Sequence, residues 1–96
     1  MTELRVVATI PTKPEAAEAV KAGLAELVAA THQEDGCLSY DAFESASTPG
    51  VFVILELWRS QQDLDAHLTS PHIAKVSTVL ADARAGDGAV HLLKPL

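Results

Sequence analysis

A single cysteine, Cys37, stands among the 96 residues. That excludes an intramolecular disulfide and any multi-cysteine zinc cage, so the chain must fold by packing alone. Basic residues are scarce: seven Lys and Arg stand against thirteen Asp and Glu, for a net charge of −6. They are scattered from Arg5 to Lys94 without forming a stripe, which argues against a nucleic-acid partner and against an anionic membrane surface. No apolar run approaches the roughly 20 residues that span a bilayer. The start, Met1-Thr2-Glu3-Leu4-Arg5-Val6, lacks the basic and apolar regions of a signal peptide. A soluble, cytoplasmic protein is expected. Linkers rich in Pro, Gly or Ser, composition breaks, repeats and low-complexity tracts are also missing, so residues 1–96 read as one domain.

Hydrophobic residues make up 48% of the chain, but 16 of them are Ala. The larger apolar side chains suffice for a small core. A domain this short buries only about two-thirds of the surface its unfolded chain exposes, so self-association would add useful burial.

Residues 4–10 are apolar at Leu4, Val6, Ala8 and Ile10, and Pro11 follows, which predicts a first strand ending there. Thr12 and Glu15 have capping-box spacing, with Pro14 in the first turn. Ala17, Val20, Leu24, Leu27, Val28 and Thr31 then recur at helical intervals. Glu34-Asp35-Gly36 closes this amphipathic helix, with Gly36 suited to a left-handed position. Residues 37–44 and 51–59 read as two strands of an antiparallel hairpin, joined by Ser45-Ala46-Ser47-Thr48-Pro49-Gly50. Ser60, with Asp63 three residues on, starts a short helix to about Thr69, and Ser70-Pro71 starts another. That third helix carries Ile73, Val76, Val79, Leu80 and Ala83 inward, and residues 89–93 form a last strand.

The order β-α-β-β-α-α-β matches an α+β, ferredoxin-like split βαβ sandwich, with helices on one face of a four-stranded antiparallel sheet. The other face needs cover. Residues 51–58 are apolar at nearly every position, so both sides of this strand call for burial, which an open one-sided sheet does not provide. A second copy would provide it. We therefore expect a homodimer in which two sheets pack face to face through one isologous contact, closing a barrel.

On the third strand Phe52, Ile54, Glu56 and Trp58 share one parity, and Val51, Val53, Leu55 and Leu57 the other. The second set reads as packing. The first could line a pocket with one titratable group and an aromatic wall; equally, Glu56 could reach solvent or pair with a base, and Trp58 could be core. His67 falls at the edge of the second helix's apolar stripe, beside Leu64 and Leu68. A neutral imidazole there could take a phenolic proton, because its ordinary pKa of about 6.5 needs little adjustment. The alternative is a core-edge histidine satisfied by one hydrogen bond. His72 sits near a helix N-terminus, whose dipole disfavours the imidazolium, and is either a neutral pocket donor or a surface residue. Tyr40 shares its parity with Leu38 and Ala42; its hydroxyl could orient a substrate oxygen or sit at the rim of the core. Cys37 has no adjacent cation and reads as a packed thiol. Asp63, Asp65, His67 and His72 lie close in sequence, but the proline restart breaks the spacing that would aim both histidines at one ion, so no metal is expected. His32 and His91 read as structural. Phosphate-binding glycine loops and the G-x-S-x-G pattern are missing.

Three segments, Glu34-Asp35-Gly36-Cys37-Leu38-Ser39-Tyr40, Glu56-Leu57-Trp58-Arg59-Ser60 and Asp65-Ala66-His67-Leu68-Thr69-Ser70-Pro71-His72, together resemble the antibiotic biosynthesis monooxygenase family, particularly its quinol monooxygenase-like members. The likeness runs over almost the whole chain, with the segments in the expected order and spacing. It implies a dimeric α+β barrel of ferredoxin-like protomers, in agreement with the burial reading. It implies no single reaction: some members oxygenate anthrones or quinols without metal, flavin or haem, others degrade haem, and another branch isomerises a phosphorylated sugar. The chain contains no Asn, so neither the Asn-Trp-His arrangement of haem-degrading relatives nor an Asn-dependent oxygenase site carries over intact. Where haem-degrading relatives place a tryptophan in the second helix, this chain has His67. The shortage of basic residues counts against the phosphosugar-isomerising branch, although Lys75 and Arg84 could still contact one phosphate.

The resemblance and the residues together lead us to expect a monooxygenase without cofactor, acting with O2 on a small quinol- or anthrone-type aromatic. A base removes a phenolic proton, the anion passes an electron to O2, and a dry pocket favours recombination. His67 is expected as base or proton shuttle, Tyr40 and His72 as orienting donors, Trp58 and Phe52 as aromatic walls, and Glu56 as a tuning carboxylate. The alternatives are a non-catalytic small-ligand-binding or structural dimer of the same fold, and a small-molecule isomerase.

Overall fold

A computed structural model describes residues 3–96; Met1 and Thr2, the start of the segment read above for a leader, lie outside the described residues. The chain forms four strands, β1 (Leu4–Pro11), β2 (Cys37–Glu44), β3 (Val51–Trp58) and β4 (Ala89–Leu93), of which β3 is apolar at nearly every position. They make one antiparallel sheet in the order β2-β3-β1-β4. α1 (Ala17–Thr31), α2 (Gln61–Leu68) and α3 (Pro71–Ala83) connect them. β1-α1-β2 and β3-α2-α3-β4 are thus interleaved, each pair of parallel strands separated by a strand of the other unit. This is the ferredoxin-like α+β architecture. Among the described residues, no helix is long and apolar enough to cross a membrane.

Register fixes which side chains meet the helices. Val6 lies opposite Glu56, Ala8 opposite Ile54 and Ile10 opposite Phe52. These residues and Trp58 are buried against Val20, Leu24, Leu27, Leu64, Val76 and Leu80 of the helices. The alternate set faces away: Val7 lies opposite Leu55, Thr9 opposite Val53 and Arg5 opposite Leu57. Phe43 and Leu55 stay about half exposed there.

Four local features differ from the sequence-based expectations. Pro11 is the last residue of β1, opposite Val51, rather than its terminator. Thr12 caps no helix; its N–H and its hydroxyl both donate to the Gly50 carbonyl, at 2.8 and 2.6 Å. The chain then makes a 3-10 turn (Pro14–Ala16) before α1 begins. Gly36 is not left-handed: Gly50 alone among the described residues has a positive φ, 89°, and Gly36 is small because a Cβ there would overlap the Asp63 side chain. Finally, β2 is bulged between Cys37 and Ser39, so Leu38 turns to solvent while Tyr40 is buried. One extra residue in the strand breaks the shared parity. The two serine caps form as expected: Ser60 accepts from the Asp63 N–H and Ser70 from the Ile73 N–H.

Gly50 and Gly23 should respond oppositely to alanine. At Gly50 a Cβ would stand 2.7 Å from the Thr12 carbonyl oxygen in a left-handed backbone, so Gly50→Ala should cost about 1–3 kcal/mol in urea unfolding. Gly23, inside α1, meets nothing closer than 3.6 Å, so Gly23→Ala should be neutral or stabilising by up to about 1 kcal/mol.

Candidate functional site

α2 and α3 are joined by the single turn Thr69-Ser70. The Ser70 hydroxyl donates to the His67 carbonyl at 2.6 Å and accepts from the Ile73 N–H at 3.4 Å, while Pro71 begins α3. This tight reversal brings His72 back beside His67, with ring centroids 5.8 Å apart. Both imidazoles meet Glu34 in the α1–β2 connection: its Oε2 lies 2.7 Å from His67 Nδ1 and 2.7 Å from His72 Nε2. The proline restart therefore aligns the two histidines rather than separating them, contrary to the spacing rule applied to the sequence. Asp63 and Asp65 take no part; Asp63 is held by Arg59 and Ser60, and Asp65 by Gln61.

His67 is buried, its ring 4.6 Å from that of Trp58 and edge-on to Tyr40 at 5.2 Å. Trp58 in turn donates its indole N–H to Glu56 Oε1 at 2.8 Å. An N–H on His67 Nδ1 satisfies the Glu34 oxygen, and the Nε2 lone pair is then the ring's available basic site. Burial lowers the His67 pKa below its ordinary value, with Glu34 opposing and His72 reinforcing the shift. Burial raises that of Glu56 against the Trp58 hydrogen bond. The Tyr40 phenol is held protonated by burial, reinforced by Glu56, Cys37 and Glu34, so it can donate but not act as base. The Cys37 thiol is pushed up to about 11 by burial and the nearby carboxylates, which suits an inert packed group.

A cavity of about 340 Å³ lies between the sheet and α2–α3. Tyr40, Glu56 and His67 supply polar groups on walls of Leu27, Ile54 and Val76, and the mouth lies along β4, where Val90 and Leu92 are exposed. Of the six residues singled out in the sequence, the structure brings Tyr40, Glu56 and His67 to this cavity. Trp58 is wholly buried behind His67. Phe52 lines a separate groove between α1 and β2, and His72 faces an outer groove of about 320 Å³ between α1 and α3. Lys75, paired with Glu26 at 3.3 Å, lines that outer groove, whereas Arg84 lines the inner cavity. Nine residues of helix, about 13 Å of rise, separate them, so they do not share a phosphate site. His32 is structural, hydrogen-bonded to the Tyr40 carbonyl at 2.8 Å.

Glu34 is the site residue that sequence reasoning missed. It lies 33 and 38 residues from its histidines, beyond any local periodicity. Donor atoms of Glu34, His67 and His72 lie within 4.8 Å of one another, close enough to hold a divalent ion among the described residues. Both converging nitrogens sit at N–H···O distance from one carboxylate oxygen, so the set is satisfied as a hydrogen-bonded trio.

Residues 4–78 match the family model described as antibiotic biosynthesis monooxygenase. Rv0793 of Mycobacterium tuberculosis, whose name provisionally assigns it to the monooxygenases, is 37% identical over 91 residues, covering 95% of this chain and 89% of that protein. Its solved structure superposes with a TM-score of 0.90, covering 99% of this chain and 96% of that one. A crystal structure of an antibiotic biosynthesis monooxygenase, 35% identical, superposes at 0.92 with 97% and 98% coverage. PA3566 of Pseudomonas aeruginosa, 30% identical, superposes at 0.91 with 100% and 96% coverage.

The buried imidazole makes stability depend on pH. Because folding lowers its pKa, the unfolded chain binds that proton more readily; the contribution is complete above the ordinary 6.5 and is lost as pH falls through the lowered folded value. Glu56 acts in the opposite sense: its raised pKa favours folding below the ordinary 4.5, a contribution lost as pH rises through the folded value. Thermal melts should therefore show His67→Gln flattening the loss of stability on mild acidification, and Glu56→Gln raising Tm relative to the parent chain at neutral pH more than at acid pH.

Proposed function

The chain belongs to the antibiotic biosynthesis monooxygenase family, and we propose that it is a cofactor-independent monooxygenase of a small quinol- or anthrone-type aromatic. The observation that carries this reading is His67: a buried neutral imidazole, held through Nδ1 by Glu34, lining an apolar cavity of about 340 Å³. A fused-ring phenol suits those walls, and Tyr40, whose hydroxyl has Thr31 as its neighbour, supplies a protonated phenol at the cavity wall.

His67 Nε2 takes the phenolic proton, leaving an electron-rich anion in a site of low polarity. The anion passes one electron to O2, and the radical pair recombines at carbon. His67 returns the proton to the resulting peroxide anion. Loss of water then leaves a quinone carbonyl, with one oxygen atom in the product and the other in water. The protein supplies the base, the orientation and the exclusion of bulk solvent; the substrate supplies the electrons.

The open sheet face supports a homodimer. Val7, Val53, Leu55, Leu57 and Phe43 form a patch on the side opposite the helices, and in a chain of this size a second copy placed across a two-fold axis covers it with the same residues. The dimer would bury Leu55 and Phe43 and leave the helical side free for the substrate.

Oxygen uptake by metal-free protein should appear with at least one member of a quinol and anthrone panel, and His67→Ala should lower kcat by about 10²- to 10⁴-fold. Full turnover by a folded His67→Ala would remove His67 as base. Binding across the panel without oxygen uptake would favour the non-catalytic ligand-binding dimer. Sedimentation should give twice the protomer mass, and Leu55→Lys should shift it toward monomer; a parent chain that is monomeric at micromolar concentration would sink the dimer.

A further inference from the structure

Arg84 stands at the end of the inner cavity remote from His67. It follows α3 at a point where the Lys13 N–H donates to the Ala83 carbonyl at 2.8 Å and the Ala85 N–H to the Pro11 carbonyl at 3.0 Å. This bridge between Thr12 and Arg84 ties the end of α3 to the end of β1, which fixes the arginine backbone. The guanidinium reaches Gly88, just before β4: a Cβ on Gly88 would stand 3.0 Å from Arg84 Nη1 and 2.9 Å from the Thr9 carbonyl oxygen. Glycine leaves room there for both. Glu56 lies opposite Val6 in the sheet, three strand residues from Thr9, or about 10 Å along β1. His67 lies on the Glu56 side, against Trp58.

The other cations of the chain are engaged or elsewhere. Lys21 pairs with Glu18 and Glu44, Arg59 with Asp63, and Lys75 with Glu26. Lys13 donates to the Asp82 carbonyl at 3.2 Å, and Arg5 and Lys94 line a different groove beside Leu57 and Leu93. Among the described residues Arg84 makes no ion pair, and it is the only Lys or Arg that lines the inner cavity. The acids stand at the opposite end: Glu56 lines the cavity itself, and Glu34 is hydrogen-bonded to His67. A ligand with one negative charge is therefore drawn to the Arg84 end and repelled from the His67 end.

We propose that Arg84 is a specificity-determining residue and that the substrate is a hydroxyaryl carboxylic acid, its carboxylate held by Arg84 at the cavity mouth and its phenolic hydroxyl, on the far ring, presented to His67. This rests on the cavity being the substrate site of the reaction proposed above. The guanidinium offers parallel N–H donors that a carboxylate accepts in pairs, and Val90 and Leu92 flank the same mouth with apolar surface for the rings. Because Arg84 is exposed, the contact belongs to the rim, where a charge pair is worth about tenfold in affinity rather than the far larger factor of a buried pair.

The test measures binding to the full chain by calorimetry at about pH 7, under nitrogen so that no turnover intervenes. The probes are 6-hydroxy-2-naphthoic acid, whose carboxyl is ionised there, and 6-hydroxy-2-naphthamide, an uncharged counterpart of the same shape. The parent should bind the acid about tenfold more tightly than the amide, and high salt should erode that preference. Arg84→Gln should abolish the preference while binding the amide within about twofold of the parent, which also shows that the variant is folded. Arg84→Glu should reverse it, favouring the amide. A parent that shows no preference for the acid, or that binds neither probe, would overturn the proposal, as would a preference that survives in Arg84→Gln. An acid preference that depends on Arg84, without oxygen uptake from any member of the quinol and anthrone panel, would sink the oxygenase reading alone. Oxygen uptake with equal affinity for acid and amide would sink this proposal alone.

Discussion

The site is organised by one carboxylate oxygen. Glu34 Oε2 accepts from an imidazole on α2 and from another on α3, and it stands at the end of the first helical unit, where α1 gives way to β2. The two halves of the split βαβ arrangement are therefore joined by hydrogen bonds as well as by their core. Removing the carboxyl would leave two nitrogens without a partner, one of them in the interior, which costs more than a single hydrogen bond returns. The orientation of the His67 ring, its proton-bearing nitrogen and its closeness to Trp58 all follow from this contact.

The sheet determines where a ligand can go. β1 and β3 are central and their helix-facing residues are buried, while Val90 and Leu92 of β4 remain exposed on the same side. Val90 and Leu92 line the same cavity that Tyr40, Glu56 and His67 reach, so the cavity opens beside the last strand. The apolar parity of β3 serves the opposite purpose on the far face. Its residues stay partly open to solvent, and this is the face on which the proposed homodimer would close.

Much of this was legible in the chain. Alternation in residues 4–10, the apolar run of residues 51–58 with the turn residues before it, and the serine caps before α2 and α3 indicated the element order and hence the fold. His67, at the margin of an apolar stripe, and Glu56 and Trp58, sharing a parity, could be singled out because a polar group on an apolar face is rare. What stayed hidden depended on tertiary contact or on one-residue irregularities. Thr12 has the spacing of a helix cap, yet Gly50 offers its two donors a better acceptor in a neighbouring turn. The bulge at Leu38 reverses a parity that the sequence cannot reveal. Glu34 looked like an ordinary helix-end acid, and its partners come from helices more than thirty residues away.

Trp58 is the only tryptophan in the chain, and its indole lies against the His67 ring while its N–H is tied to Glu56. Ultraviolet emission from the whole molecule therefore originates beside the imidazole at the heart of the site. A cationic ring at that range withdraws excited-state electron density and dims an indole, so the protein carries an intrinsic optical gauge of its own charge state, readable without any label.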